Sequence, residues 1–350
     1  MPKTVFMFSG QGSQYFQMGK DLFEQHAVFR DWMRRLDDMA WAINGTRVNE
    51  AIYGSPKSNV FARTRLTHPA IFMVEYALAQ CLVHEGIEPD LVLGASLGSF
   101  TAAAVGGSLT VEEAMAAVLE QAAGFERDCS PGGMIAVLAA PDLYEQEAFL
   151  RDRSELAGIN FHSHFVVSAE FDELDTIEAE LKRRDLTFQR LAVSYAFHSR
   201  WIDKAEAGFC AFMRGVPVRP AAIPIVCCRQ AAILDALPDE YFWQVVRHPI
   251  RFNDTVALLE RQGPHRYIDV GPSGTLAAFI KYSLAKDSRS SMHAILTLFG
   301  KEHRNFVALL NEVGATSDGV HDSFRKADGA MPTMGRGSVA RAVRPIPQQG

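Results

Sequence analysis

The sequence is poor in the features that mark secreted, membrane or metal-binding proteins. It has only five cysteines in 350 residues, an odd number with no Cys-x-x-Cys pair, which argues against a disulfide framework and against a zinc site. It also lacks any run of about 18 apolar residues, and an apolar strand-like segment follows the N-terminus directly. We therefore expect no membrane span, no signal peptide and a cytoplasmic location.

An excess of positive charge and a phosphate-binding loop are also missing. Lys and Arg number 35 against 41 Asp and Glu, a net charge of −6, so the chain has no basic signature for nucleic acid. The glycine-rich turn at residues 10–14 (Gly-Gln-Gly-Ser-Gln) contains no lysine, and it fits neither a Walker motif nor a dinucleotide fingerprint. The composition, 48% hydrophobic and 22% charged, is ordinary for a globular enzyme.

What the sequence does contain is a serine placed as a nucleophile. The apolar run 91–93 leads into residues 94–98 (Gly-Ala-Ser-Leu-Gly), and residues 100–105 are helix-like. Strand, Gly-x-Ser-x-Gly, helix is the pattern of a nucleophile elbow, in which glycines are needed because a Cβ would collide with neighbouring backbone. The pattern predicts that Ser96 stands at a helix N-terminus, where backbone N–H groups can stabilise an oxyanion. The alternative is a structural turn.

Two other segments can supply the base and the oxyanion donor that a nucleophilic serine needs. His198 lies in a β-like segment, residues 193–199 (Val-Ser-Tyr-Ala-Phe-His-Ser). The turn at 10–14 follows an apolar strand-like run, 5–8, and can present a backbone N–H group. Each segment alone has an ordinary interpretation, a core histidine or a tight turn. In this order and together with the elbow, they are far more specific.

The combined segments resemble the malonyl-CoA:acyl-carrier-protein transacylase family, which includes the acyltransferases of polyketide and fatty-acid synthases. The segments that carry the resemblance lie within residues 3–300 and are 10–14, 67–70 (Thr-His-Pro-Ala), 94–98, 195–199 and 269–274 (Asp-Val-Gly-Pro-Ser-Gly). The resemblance implies a Ser96–His198 dyad and an oxyanion hole made by the backbone N–H groups of Gln11 and Leu97. It also implies that a backbone carbonyl orients the histidine, and counting back from the segment 249–252 assigns that carbonyl to Val245.

Departures from the family pattern bear on the substrate. Members that use malonyl-CoA carry an arginine in the helix after the elbow, but this position aligns with Ala122, beside Gln121. Neither residue can pair with a carboxylate, and burying malonate without a cation would cost on the order of several kcal/mol. Ala95 replaces the usual histidine before the serine, and His68 replaces the glutamine of the Thr-Gln-Pro turn. His68 either places a water or hydrogen-bonds a backbone carbonyl, and we favour the second.

Residues 67–72, 193–199 and 271–279 are similar to a narrower group, the acyl hydrolases of trans-acyltransferase polyketide synthases. These stand-alone homologues clear stalled acyl groups from carrier proteins, so the resemblance implies hydrolysis of acyl thioesters through an acyl-Ser96 intermediate. The expected substrate-binding residues are His68, Ala95, Gln121, Ala122, Tyr195 and Phe197. Two alternatives stay open. One is an acyltransferase that moves a non-malonyl, or malonyl, group from CoA or a carrier protein onto an acyl carrier protein; the other is a catalytically idle homologue that docks carrier proteins.

The same resemblance implies which partners and cofactors to expect. The partners would be acyl carrier protein domains of a polyketide synthase, with no nucleic acid and no membrane, and we expect a monomer. No cofactor of the chain's own is expected, because the phosphopantetheine group belongs to the carrier protein. A CoA thioester is a second candidate substrate.

The order of predicted elements indicates an α/β fold, with a parallel-sheet, hydrolase-like large subdomain and an inserted ferredoxin-like small subdomain. Residues 1–130 and 198–312 would form the large subdomain, which carries the serine. Residues 131–197 would form the small one in β-α-β-β-α-β order, with its first helix at 142–153. The pocket should then lie in the cleft between them. Residues 313–350 are polar, rich in Gly and Pro and aperiodic, which predicts a disordered tail.

Overall fold

A computed structural model describes residues 2–315 of the chain. Within this range there are eleven strands: β1 Lys3–Phe8, β2 Leu91–Gly94, β3 Gly132–Val137, β4 Glu155–Phe161, β5 His164–Glu170, β6 Phe188–Arg190, β7 Ile225–Cys227, β8 Ala232–Leu234, β9 Ile250–Arg251, β10 His265–Asp269 and β11 Ser291–Ala294.

Helices fill most of the connections between these strands. The α-helices of the described range are α1 Lys20–Gln25, α2 Ala27–Asn44, α3 Val48–Tyr53, α4 Thr64–His84, α5 Gly98–Val105, α6 Val111–Asp128, α7 Asp142–Gln146, α8 Ala148–Arg153, α9 Phe171–Arg183, α10 Glu206–Met213, α11 Tyr241–Arg247, α12 Phe252–Glu260, α13 Thr275–Ser283 and α14 Glu302–Ala315, with a 3₁₀ helix at Arg200–Ala205. Because α14 continues to Ala315, the predicted tail is helical over its first three residues, 313–315. The rest of it lies outside the described residues.

The larger sheet brings the two predicted active-site turns to one edge. Its strand order is β11-β10-β1-β2-β7-β8, with all neighbours parallel except β7 and β8. Strands β1 and β2 are buried almost throughout, as is usual for parallel strands. Phe8, the last residue of β1, pairs with Gly94, the last residue of β2. The turns that follow these residues, at 9–14 and 95–98, therefore leave the sheet side by side.

The smaller sheet has the topology of a ferredoxin-like unit with one addition. Its order is β6-β3-β5-β4-β9, and the first four strands are antiparallel neighbours, as the β-α-β-β-α-β order produces. The predicted helix 142–153 is two short helices, because the backbone of Glu147 is extended. Strand β9 comes from outside residues 131–197 and pairs parallel with β4. The predicted fold class, a parallel-sheet body with an inserted ferredoxin-like unit, is confirmed.

Helices α4 and α6 pack against each other and carry three of the predicted substrate-binding residues, His68, Gln121 and Ala122. Helix α4 is long and apolar enough to cross a membrane, but 83% of its most apolar window is buried inside the protein. The segment 67–70, which we predicted as a turn, lies within this helix. Helix α6 begins with a capping box in which Thr110 and Glu113 exchange side-chain-to-backbone hydrogen bonds of 2.7 and 3.2 Å. That cap fixes the start of the helix that carries Gln121 and Ala122.

Candidate active site

Ser96 lies at a sharp turn between β2 and α5. Its φ is 55°, in the left-handed region, which costs a residue with a side chain on the order of 1–3 kcal/mol. The flanking glycines are required by close approach. A Cβ on Gly94 would lie 2.6 Å from the nitrogen of Ser99, and one on Gly98 would collide with the carbonyl of Phe8. This is the geometry of a nucleophile elbow, in which the serine is forced out of the strand–helix junction.

His198 is held by two backbone carbonyls. It is buried and has a left-handed φ of 61°. Its backbone N–H donates to the carbonyl of Val246 at 2.9 Å, and its Nδ1 donates to the carbonyl of His248 at 2.7 Å. Because Nδ1 carries the proton in that bond, Nε2 is left with the lone pair that a general base needs.

The orienting carbonyl is therefore that of His248, and the assignment to Val245 was wrong. Val245 lies within the last turn of α11, so its carbonyl points along the helix axis. His248 is the C-cap, and its extended backbone (φ −99°, ψ 158°) turns its carbonyl out of the helix. A side chain can reach a carbonyl in that position.

Burial sets the charge of His198. The loss of hydration lowers its pKa to about 4, and the neighbouring charge of Arg247 acts in the same direction, while the bond to the His248 carbonyl raises it less. The imidazole is consequently neutral at pH 7 and ready to accept a proton.

Two unused backbone donors lie beside the serine. Within residues 2–315, the N–H groups of Gln11 and Leu97 have no hydrogen-bond partner. Leu97 is the N-cap of α5, so its N–H belongs to the electropositive end of that helix. The turn after β1 touches the elbow directly, since a Cβ on Gly10 would lie 3.0 Å from the Cβ of Ser96. The two donors can therefore serve one oxyanion.

Ser96, His198 and Gln11 border a single cavity of about 320 Å³. One wall comes from the smaller sheet, with Met134 and Ala136 of β3 and Val166 of β5, together with Asn160 and His164. The opposite side includes the elbow and the turn after β1. The cavity thus lies between the two sheets, and both the predicted nucleophile and the predicted base face it.

The predicted substrate-binding residues divide into two groups. Ala95 and Phe197 line the cavity, whereas His68, Gln121, Ala122 and Tyr195 do not. His68, Gln121 and Ala122 are each about 1% exposed.

The rings of His68, Phe125 and Phe197 pack against one another and form an aromatic layer. The Phe125 ring of α6 packs against Phe197 with a centroid separation of 5.2 Å, and the His68 ring does so at 5.8 Å. Ala122 precedes Phe125 by nearly one helical turn. The position of the malonyl-binding arginine is consequently buried in the protein and does not border the cavity.

The hydrogen bond of His68 is not the one that we favoured. Within the described residues it has no hydrogen bond to a backbone carbonyl; its Nδ1 accepts from Nε2 of Gln11. His68 also does not border the cavity. Complete burial lowers its pKa to about 3, so the ring is neutral at pH 7.

Sequence reasoning missed two residues near the site. His248 carries no signal, since any residue has a carbonyl. Glu75 does carry one, because it is the only charged residue between positions 69 and 83. Its fully buried carboxyl accepts from the N–H of Ser9 at 2.6 Å and from the hydroxyl of Thr101 at 2.9 Å, and burial raises its pKa to about 8. Glu75 thereby anchors the residue that precedes the Gly10–Gln11 turn.

Comparison with known proteins identifies relatives over almost the whole described chain. A family model described as the acyl transferase domain matches residues 5–320. The polyketide biosynthesis acyltransferase homolog BaeD of Bacillus velezensis is 45% identical over 300 residues, which is 85% of this chain and 93% of the relative. The homolog PksD of Bacillus subtilis is 44% identical over 303 residues, 86% of this chain and 94% of the relative.

Solved structures of acyltransferases have the same fold as this chain. A loading acyltransferase from the avermectin modular polyketide synthase superposes with a TM-score of 0.82 at 25% identity, covering 89% of this chain and 99% of the other. The enzyme MCAT from Streptococcus pneumoniae gives a TM-score of 0.73 at 26% identity, covering 89% and 100%. The family resemblance drawn from the sequence is confirmed.

Among the residues that the structure describes, no group of three or more His, Cys, Asp and Glu side chains could hold a metal ion.

Proposed function

Since this chain belongs to the acyl transferase domain family, we propose that it hydrolyses acyl thioesters carried by acyl carrier proteins in polyketide biosynthesis. Acyl transferase domains need no cofactor of their own, and the phosphopantetheine arm belongs to the carrier protein. The observation that carries the proposal is the lining of the cavity at Ser96. None of the described residues that border it is a lysine or an arginine, so nothing there clamps a charged acyl group in one pose.

The first half-reaction forms an ester on Ser96. His198 Nε2 accepts the hydroxyl proton as Ser96 Oγ attacks the thioester carbonyl, and the backbone N–H groups of Gln11 and Leu97 stabilise the resulting oxyanion. When the tetrahedral intermediate collapses, the carbon–sulfur bond breaks and His198 returns the proton to the departing thiol. The products are the free carrier thiol and an acyl-Ser96 ester.

The second half-reaction decides between a hydrolase and a transferase. In hydrolysis, His198 accepts a proton from water as the water oxygen attacks the ester, and the proton returns to Ser96 Oγ as the carboxylic acid leaves. A transferase must exclude water until a thiol arrives. Both walls of the cavity include polar residues, among them Asn160, Gln189 and Thr275, together with apolar ones. Such a lining supports access of water to the ester.

The acyl group that fits this site is uncharged. The two cavity histidines, His164 and His198, have pKa values lowered by burial, so neither provides a positive charge at pH 7. Ala122, the position to which the family pattern assigns the malonyl-binding arginine, is buried and does not border the cavity. This supports acetyl and other short neutral acyl groups as substrates.

The backbone strain argues against an idle docking homologue. Seven non-glycine residues in the described range have a positive φ, and among these only Ser96 and His198 border the cavity. Strained backbone persists where the surrounding structure fixes it for a purpose. A protein that only docked carrier proteins would have no need for that strain at a serine and a histidine facing one cavity.

The test is a partition experiment. One carrier protein is loaded with an acetyl group, and a second carrier of different mass, with a free phosphopantetheine thiol, is added in excess. We expect free acetate as the main product, with Ser96→Ala as the inactive control. If acylated second carrier accumulates and free acid forms no faster than without enzyme, the protein is a transacylase and the hydrolase proposal is wrong.

A further inference from the structure

We infer that His68 is a positioning residue of the oxyanion hole, which it holds in place through the side chain of Gln11. This inference rests on the proposed function, because it assumes that the backbone N–H of Gln11 donates to the tetrahedral intermediate. His68 itself does not border the cavity. Its effect on catalysis would therefore pass entirely through the residue that it bonds.

The Gln11 amide group is tied to α4 by both of its hydrogens. Nε2 donates to Thr67 Oγ1 at 2.8 Å and to His68 Nδ1. Thr67 and His68 are consecutive residues near the start of α4 and are almost completely buried. The side chain of Gln11 thus fixes the turn after β1 against a core helix, while its backbone N–H remains unpartnered beside Ser96.

The neutral state of His68 suits this contact. Because Nδ1 accepts a hydrogen bond, the ring proton must be on Nε2. The side chain of Gln121 on α6 lies beside the ring and raises its pKa by less than burial lowers it. Gln121 Oε1 is buried and has no hydrogen-bond partner in the described chain, so it is an unused acceptor on that side of the ring. A protonated ring would instead set two donors against each other at Gln11.

The amide nitrogen of Gln121 is bonded to the helix that orients the base. Gln121 Nε2 donates to the carbonyl of Phe242 at 3.5 Å. Phe242 belongs to α11, and the end of that helix provides the carbonyls of Val246 and His248 that hold His198. Gln121 is thus bonded to the helix that fixes the general base, while no hydrogen bond in the described chain joins it to His68.

Removing the ring acceptor should affect the rate more than substrate binding. A leucine at position 68 would leave one hydrogen of the partly buried Gln11 amide without its partner, and the turn could relax by moving the amide toward water. A displaced oxyanion donor lowers transition-state stabilisation, at up to about 10²–10³-fold in kcat when such a donor is lost outright. Glutamine has an acceptor oxygen at comparable reach, so His68→Gln can preserve the contact with Gln11.

The experiment compares His68→Leu, His68→Gln and Thr67→Val with the unaltered protein, using acetyl-carrier protein as substrate. We expect His68→Leu to lower kcat by about 10- to 100-fold with KM within about twofold, and His68→Gln to restore kcat to within about threefold. Thr67→Val removes only the second acceptor of Gln11 and should lower kcat with the same unchanged KM. His265→Leu is the matched control, since His265 is equally buried but lies at the far end of β10 from the site.

A double variant tests whether His68 acts through Gln11. If His68 acts through Gln11, then His68→Leu combined with Gln11→Ala should be no slower than the worse single variant, because both remove one contact. The inference is overturned if His68→Leu keeps kcat within about threefold, if it raises KM alone, or if His68→Gln is as slow as His68→Leu. The result is separate from the hydrolase proposal, which depends on the identity of the product and not on these rate ratios. If His68→Leu does not fold, Thr67→Val and the glutamine variant still decide the question.

Discussion

The prediction with the most direct structural basis concerns a single chemical change in the substrate, from acetyl to malonyl. The change adds one carboxylate to the acyl group and leaves the carrier protein and the thioester unaltered. No lysine or arginine among the described residues borders the cavity, and burial keeps His164 and His198 neutral. The added charge therefore meets no cation at pH 7.

The magnitude follows from the cost of an unpaired charge. Burying a carboxylate without a partner costs on the order of several kcal/mol. Part of that cost is avoided if the carboxylate stays hydrated toward the mouth of the cavity. We therefore take about 1.4 kcal/mol as the minimum, which makes acylation by malonyl at least tenfold slower in kcat/KM than acylation by acetyl.

The assay is competition between the two substrates. Equal amounts of acetyl- and malonyl-carrier protein are mixed with the enzyme, and intact-mass spectrometry follows the loss of each acyl group at early times. Ser96→Ala corrects for spontaneous hydrolysis. Comparable rates for the two acyl groups would refute the reasoning, because they would require a positive charge at the site that the structure does not provide.

The remaining predictions concern the proposed dyad and the residues that support it. Ser96→Ala should abolish the acyl-enzyme, and His198→Ala should slow its formation by orders of magnitude, both measured by intact mass; near-normal turnover of Ser96→Ala would contradict the mechanism. His198 acts as a base only when neutral, and its pKa is lowered to about 4. The pH profile of kcat/KM should accordingly fall only as pH drops toward 4, and a fall centred near 6.5 would show an exposed, unperturbed imidazole. His248→Ala should keep kcat within about threefold, since only its carbonyl contacts His198, and a large loss would mean that the imidazole of His248 takes part.

The parts of the site that the sequence predicted are those with strict local requirements. The elbow at Ser96 needs small residues at Gly94 and Gly98, because each backbone packs against another segment with no room for a Cβ. That need is visible as a spacing in the sequence. The alternating strands and helices likewise follow from local hydrophobic patterns, and they gave the correct fold class.

The parts that the sequence did not predict depend on contacts between distant segments. The carbonyl that orients His198 depends on where α11 ends, and a backbone carbonyl has no residue type to identify it. The pairing of Gln11 with His68 joins positions 57 residues apart. Strand β9 joins the smaller sheet although it lies far from residues 131–197 in the chain. These features become visible only when the two sheets and α4 are in place.

The proposed Ser96–His198 dyad is held by features that a transferase and a hydrolase would share. Left-handed backbone at Ser96 and His198 costs on the order of 1–3 kcal/mol each, and it is fixed by the glycine contacts of the elbow and by the carbonyls of Val246 and His248. Both activities pass through the same acyl-Ser96 ester, so this geometry cannot distinguish them. The distinction must come from groups that control the lifetime of the ester in water, which are the cavity wall and the residues behind Gln11. The substitutions at Ala95, His68 and Ala122 all fall near Ser96 or behind Phe197 and Gln11, and for that reason they, more than the dyad, should determine whether water or a thiol accepts the acyl group.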